Sequence, residues 1–297
     1  MLTHGNVVSN ILASVPVLDI RLGDRSLSFL PLSHIFERMA GHYALLYAGA
    51  SIYYAESIAT VVADLQLVRP TILVAVPRIY EKIYATVRDN VAGSSIVKRF
   101  IFHWAMLAGR LALPFIYENR PAPLWIRFQL WWSRHLVFNK ILARTGGNLR
   151  FGVSGGAPLA GMLLEFFCCI GLPIIEGYGL TETSPVIAFN RIGEIAHGKV
   201  GRPIYEEWEG KPFVRIAADG EILCRGPNVM LGYWKNTLAT AEAIDAEGYF
   251  HTGDIGELDD LGRLKITDRK KEIIVTAGGK NVAPQPIEER LKTDKYI

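Results

Sequence analysis

The sequence predicts an α/β fold: layered strands and helices carrying a smaller β-rich part. Three observations lead there. Short apolar or β-branched runs alternate with helix-periodic stretches through about residue 200, the mark of α/β layers. Beyond it the strands are short and separated by Gly, Asp and Asn turns. Half of the 297 residues are apolar and mean hydropathy is +0.20, which allows an ample core and excludes disorder.

In order, Asn6 to Leu18 has the apolar spacing of a helix, with Thr3 or Asn6 as N-cap. Ser26 to Leu32 and Ala50 to Tyr54 are predicted strands, and Thr71 to Val76 a buried one stopped by Pro77. Pro77 to Val91 is a predicted helix. Residues 96–144 form an aromatic-rich helical insert, expected to break at Pro114 and at Pro121-Ala-Pro123. Arg150 to Val153 is a strand, followed by the loop Ser154-Gly155-Gly156-Ala157-Pro158 and a helix through Cys169. Leu172 to Ile175 is a buried strand running into a loop. Phe213 to Ile216, Glu221 to Cys224 and Arg263 to Ile266 are short strands, with a hairpin turn at Leu258 to Arg263.

The net charge of +3 is too small to imply a nucleic-acid partner. Its distribution is uneven. Between Lys98 and Arg150 nine basic residues face one acid, Glu118, so this segment carries +8 and the remainder is acidic. Mixed with Phe100, Phe102, Trp104, Phe115, Trp125, Phe128, Trp131, Trp132 and Phe138, it suits an anionic membrane surface; a core of aromatics with cations facing water is the alternative. Cys168, Cys169 and Cys224 lack metal-ligand spacing and are expected to be buried thiols of a cytoplasmic protein. No signal-peptide pattern follows Met1. No uninterrupted apolar run reaches membrane-spanning length, the closest being Ile101 to Tyr117.

The chemistry concentrates in Tyr178-Gly179-Leu180-Thr181-Glu182-Thr183. An aromatic ring, a hydroxyl and a carboxylate at a strand's carboxyl end suit a base, a phosphate and Mg²⁺; a plain polar loop is the alternative. Ser154-Gly155-Gly156-Ala157-Pro158 could admit a planar ligand against bare backbone or be an ordinary turn. Gly152-Val153-Ser154-Gly155-Gly156 also fits the G-x-S-x-G nucleophile elbow, with His251 and Asp254 downstream in the wrong order for a triad. Asp254, in Tyr249-Phe250-His251-Thr252-Gly253-Asp254, ends a predicted strand in a Gly turn and could take ribose hydroxyls or cap its own backbone. Gly220 to Trp234 reads as structural. Asp268 to Asn281 is a charged turn, a strand and a basic Gly loop. No Walker-type loop occurs. His34, in Leu30-Pro31-Leu32-Ser33-His34, reads unaided as a core histidine.

Together and in this order, these motifs resemble the adenylate-forming superfamily, and most closely its long-chain fatty acid CoA ligases, across essentially the whole chain. The resemblance implies a large domain over 1–268, with α/β layers over 1–200, the insert at 96–144 and a β-rich subdomain over 201–268. It implies that 269–297 begin a separate C-terminal α+β domain. It assigns Tyr178 to adenine, Gly155, Gly156 and Ala157 to base and acyl chain, Thr181 to the α-phosphate and Glu182 to Mg²⁺. Asp254 would bind the ribose and Arg269 the ribose and phosphate side, Lys271 would be the hinge, and His34 would sit beside the reacting carboxylate. The implied reaction activates a long-chain fatty acid with ATP to acyl-AMP and then transfers it to CoA. The family's phosphate loop would precede Met1 and its adenylation lysine would follow Ile297, so the resemblance implies an incomplete chain, inactive alone. A serine hydrolase using Ser154, or a non-catalytic remnant binding nucleotide or acyl chain, is the alternative. The expected setting is cytoplasmic, with peripheral contact at the inner face of the membrane.

Overall fold

The computed structural model describes residues 1–118 and 120–270, and beyond them 274–275, 281–282 and 284. Helix α1 (His4–Leu18) opens the fold. Thr3 Oγ1 accepts from the Asn6 N–H at 3.1 Å while Asn6 Oδ1 accepts from the Thr3 N–H at 2.8 Å, so Thr3 is the cap and Asn6 its reciprocal partner. The chain divides into two compact units that do not follow sequence order. One comprises Ser14–Gly177 and Asn190–His197. The other gathers Met1–Ala13, Tyr178–Phe189 and the described residues from Gly198 onward.

The first unit is built on a parallel sheet. Its elements are β1 (Arg25–Ser28), α2 (Ala44–Tyr47), β2 (Ser51–Tyr54), α3 (Val61–Val68), β3 (Ile72–Ala75), α4 (Pro77–Ala92), α5 (Ile96–Tyr117), α6 (Leu124–Ser133), α7 (Asn139–Leu142), β4 (Phe151–Ser154), α8 (Gly161–Cys169) and β5 (Ile174–Gly179). The strand order β2-β1-β3-β4-β5 is parallel throughout. β3 and β4 are buried at every position, as strands covered on both faces must be. Leu27, Leu73, Tyr80, Leu164, Phe167 and Ile174 lie in the core. Gly152 leaves room for Tyr80, because a Cβ there would lie 2.5 Å from the phenol oxygen. At the amino end of the sheet, Arg150 Nη2 reaches Asp24 Oδ2 at 2.6 Å and Thr71 Oγ1 donates to Asp24 Oδ1 at 2.7 Å. This network ties the starts of β1, β3 and β4 together and leaves the carboxyl ends for ligands.

Several boundaries differ from the sequence reading. The first strand ends at Ser28, since Phe29 to Leu32 turn toward a π-helical stretch, Glu37–Tyr43. Helix α5 runs through Pro114 instead of breaking there. The proline lies in its last turn, where one lost N–H bond is tolerated. The helix ends at Tyr117 and α6 begins at Leu124, so the break expected at Pro121-Ala-Pro123 is found. Helix α5 is also, among the described residues, the one helix long and apolar enough to cross a membrane, and 33% of its apolar stretch is buried. Its Gly109 sits against α8, where a Cβ would approach Cys169 Cβ to 2.8 Å, as in a core helix.

The second unit is β-rich, with β6 (Val186–Phe189), β7 (Arg202–Pro203), β8 (Glu207–Trp208), β9 (Lys211–Pro212), β10 (Val214–Ile216), β11 (Glu221–Cys224), helix α9 (Thr237–Ala243), β12 (Phe250–Leu258) and β13 (Leu264–Arg269). β10 to β13 form an antiparallel sheet in chain order, closed on a core of Tyr178, Ile187, Phe213, Ile222, Cys224 and Leu264. The 258–263 turn is the expected hairpin, with the Asp259 carboxylate accepting from the Leu261 and Arg263 N–H groups at 3.0 and 2.9 Å. Two-residue strands β14 (Ile274–Val275) and β15 (Asn281–Val282) pair antiparallel.

Candidate active site

In the β-rich unit, Tyr178, Asp254 and Arg269 come together from three segments. Asp254 lies within β12, not in a turn after a strand as the sequence suggested, because β12 continues through Gly253 at φ +73° to Leu258. It is paired in register with Arg269 of β13. The buried Tyr178 hydroxyl donates to Asp254 Oδ2 at 2.7 Å, and Arg269 Nε stands 3.2 Å from Oδ1. Burial, then the neighbouring Asp254 charge, push the Tyr178 phenol well above its ordinary range, so it remains a donor. The carboxylate is thus held in one orientation before any ligand arrives. A charge so fixed accepts hydroxyl donors with little reorganisation.

The T-E-T run follows directly. β5 extends through Tyr178 and Gly179, further than predicted, and Thr181–Thr183 form a 3₁₀ turn. Gly179 is required because Pro185 O would lie 1.8 Å from a Cβ. Two fully buried asparagines clamp the loop. Asn10 Nδ2 donates to Thr183 O at 3.2 Å and Val186 O at 2.8 Å; Asn228 Nδ2 donates to the same carbonyls at 3.0 and 3.2 Å. Thr181 and Glu182 are left at the surface of this frame. Glu182 O accepts from the Met230 N–H at 2.7 Å, and Glu182 Oε1 accepts from the Tyr233 hydroxyl at 3.0 Å. Asn10 carries no local motif that points to this role, and Asn228 and Tyr233 lie in the Gly220 to Trp234 stretch, which reads as structural from sequence.

The parallel-sheet unit holds the remaining predicted residues. The loop after β4 presents Gly156 at φ +80° and Ala157 exposed, while the Phe36 ring covers Gly155, at 2.7 Å from where a Cβ would lie. Phe36 thereby joins the Pro31 to His34 segment to this loop. His34 is exposed and its Nδ1 accepts from the Phe36 N–H at 3.2 Å, so the core reading of this histidine does not hold. Helix α8 begins only at Gly161, so its first N–H groups do not line the Gly-Gly turn.

Ser154 does not form a nucleophile elbow. It is the last residue of β4, in register with Ala75 and Glu176, and its Oγ is buried without a hydrogen-bond partner among the described residues. The ring of His251 faces Glu221 from Nδ1 at 3.3 Å and Asp245 from Nε2 at 3.7 Å, both in its own unit. Lys271 lies outside the described residues, as does most of 269–297. Among the described residues no group of three His, Cys, Asp or Glu side chains could cage a metal. Glu182 nonetheless suits Mg²⁺, which is held by one or two carboxylates together with substrate phosphates and water. Its oxygens are hard donors, and among the described residues nothing engages Oε2.

The chain is similar to known proteins over its whole length. The AMP-binding enzyme family matches residues 1–234. Long-chain-fatty-acid–CoA ligase FadD15 of Mycobacterium bovis is 41% identical over all of this chain and 48% of its own length. Peroxisomal long chain acyl-CoA synthetase 7 of Arabidopsis thaliana is 36% identical over the whole chain and 42% of its own. The chain therefore spans about half the length of the curated relatives it matches. Among solved structures, ATP-bound MatB from Rhodopseudomonas palustris superposes with TM-score 0.67 at 25% identity, over 99% of this chain and 49% of that one.

Proposed function

Because the chain belongs to the AMP-binding enzyme family, we propose that it forms part of an AMP-forming long-chain fatty acid CoA ligase. The carrying observation is the Tyr178–Asp254–Arg269 cluster with Glu182 four residues beyond Tyr178, in a chain similar throughout to such ligases. In this reading a fatty acid carboxylate attacks the α-phosphorus of ATP and pyrophosphate leaves. The thiol of CoA then attacks the acyl carbonyl and AMP leaves. Asp254 accepts the ribose hydroxyls and Arg269 neutralises charge beside them. Tyr178 offers its ring to adenine, and Gly155, Gly156 and Ala157 give close backbone approach to base and acyl chain. Thr181 donates to the α-phosphate, Glu182 would hold Mg²⁺, and His34 stands at the acyl carboxylate. Mg²⁺ there would supply charge neutralisation on the phosphates. Lys271 is the hinge to a C-terminal domain.

The deciding experiment is fatty-acid-dependent ATP–pyrophosphate exchange by the protein carrying this chain. Exchange that needs a long-chain acid and collapses in Glu182→Gln and Asp254→Ala supports the reading. Hydrolysis of short esters that depends on Ser154, with no exchange, would replace it.

Two features bear on setting. The three cysteines are buried thiols, which supports a reducing, cytosolic environment. Helix α6 turns aromatics outward: Trp125, Phe128, Trp131 and Trp132 are 55%, 63%, 51% and 41% exposed while Ile126 and Ser133 face in. That face, flanked by Arg127 and Arg134, is suited to the surface of an anionic bilayer.

A further inference from the structure

The turn Gly232-Tyr233-Trp234 has no part in the reaction as described, yet it reaches Glu182. We propose that Tyr233 is a positioning residue for Glu182, fixing the rotation of its carboxylate so that one oxygen faces a nucleotide-bound divalent cation. The proposal rests on the reading of Glu182 as the cation's carboxylate.

A glutamate in a surface turn has three free torsions and no intrinsic reason to hold one orientation. Here both ends of the residue are held by one short segment. The Met230 N–H donates to Glu182 O at 2.7 Å, and the Tyr233 hydroxyl donates to Oε1 at 3.0 Å. An ionised carboxylate only accepts, so the phenol must be the donor. Among the described residues, Oε2 and a second lone pair on Oε1 remain for a cation. Residues that orient a ligand through its other hydrogen-bonding site commonly set metal affinity.

Tyr233 is itself held in place. Its N–H donates to Thr240 Oγ1 at 2.9 Å, and that hydroxyl donates to Asn236 O at 2.8 Å. Asn236 caps α9 by accepting from the Ala239 N–H at 3.0 Å. Gly232, at φ +138°, is needed because a Cβ would lie 2.6 Å from Thr240. The residue is 36% exposed, so filling the core does not account for it. What this construction delivers is the hydroxyl at Glu182.

The test uses Mn²⁺ as a paramagnetic substitute, with electron paramagnetic resonance reading its binding to the protein–ATP complex. Tyr233→Phe should weaken Mn²⁺ binding about 5- to 10-fold, at the low end for such partners because the pair is solvent-exposed. ATP binding without metal should be unchanged. Thermal melts check that each variant folds. On a Glu182→Gln background, Tyr233→Phe should add nothing. Wild-type Mn²⁺ affinity in Tyr233→Phe, alongside a loss in Glu182→Gln, would overturn the proposal alone. So would an equal loss from Tyr233→Phe on the Glu182→Gln background. If Glu182→Gln itself keeps full affinity, the assignment of Glu182 falls, and the inference with it.

Discussion

Asp254 is a buried carboxylate whose two oxygens are already engaged, by Tyr178 and by Arg269. Removing it should do two separable things. Asp254→Ala should weaken ATP binding about ten-fold or more, since charge-assisted bonds to a fixed carboxylate contribute roughly 1.5–3 kcal/mol each. It should also lower stability by about 1–3 kcal/mol, because the buried Tyr178 hydroxyl loses its acceptor. Asp254→Asn keeps an acceptor for Tyr178 and should spare most of the stability while still losing affinity. Calorimetric titration and denaturant melts separate the two effects. A second carboxyl behaves differently. Glu37 is buried, accepts from Ser28 Oγ at 2.5 Å and has no partner for Oε2 among the described residues; burial raises its carboxyl to about 7, against the Ser28 hydrogen bond. The folded state therefore binds the proton more tightly than the unfolded chain. This stabilisation is complete below the unfolded value near 4.5 and is lost as pH rises through about 7. Glu37→Gln should flatten the fall in melting temperature between those limits; an unchanged slope would assign the pH dependence elsewhere. At this scale the sequence shows which residue types carry chemistry, since Tyr178, Glu182, Asp254 and Arg269 stand in compact motifs. It hides their supports. Asn10 and Asn228 look like ordinary polar residues until the fold buries both against the carbonyls of Thr183 and Val186.

Elements were legible where periodicity was strong and local. The buried β-branched run of β3 and the amphipathic α4 lie within a residue or two of expectation. Elements set by tertiary pairing were not. β12 runs nine residues because β11 and β13 supply partners on both sides, although Thr252-Gly253-Asp254 looks like a turn. β6 and α9 carried too few periodic residues to be predicted. Close approaches between elements give sharp tests. A Cβ at Gly109 would meet Cys169 Cβ at 2.8 Å and its carbonyl oxygen at 3.0 Å, so α5 and α8 touch through this glycine. Gly109→Val should cost on the order of 1–3 kcal/mol by overpacking, measured as a drop in denaturant midpoint. A melt equal to wild type would mean that the two helices can part at no cost.

For the molecule as a whole, charge is the property most open to reading and the one the structure most refines. The +8 of 98–150 is a sequence fact, but not all of it is available to a partner. Arg110 pairs with Glu165, Arg120 with Glu118, and Arg150 with Asp24 and Asp19. Lys98, Arg99, Arg127, Arg134, Lys140 and Arg144 are exposed and have no ion-pair partner among the described residues. The aromatics divide likewise: Phe138 is in the core, whereas Trp125, Phe128, Trp131 and Trp132 lie on the outer face of α6. From sequence, an interfacial helix and a solvated core helix are both open, because helical spacing does not say which face turns inward. Outward tryptophans decide that the membrane reading is the one to test. Each exposed cation near an anionic leaflet contributes about 1 kcal/mol, and the α6 rings add apolar burial. Flotation with vesicles containing phosphatidylserine should recover the protein, and recovery should fall as salt screens the cations. Replacing Trp131 and Trp132 by Ser should reduce recovery at every salt concentration, whereas Arg127→Gln with Arg134→Gln should reduce it chiefly at low salt. Equal recovery by neutral and anionic vesicles would remove charge from the account, and no recovery with either would leave the α6 face without this role.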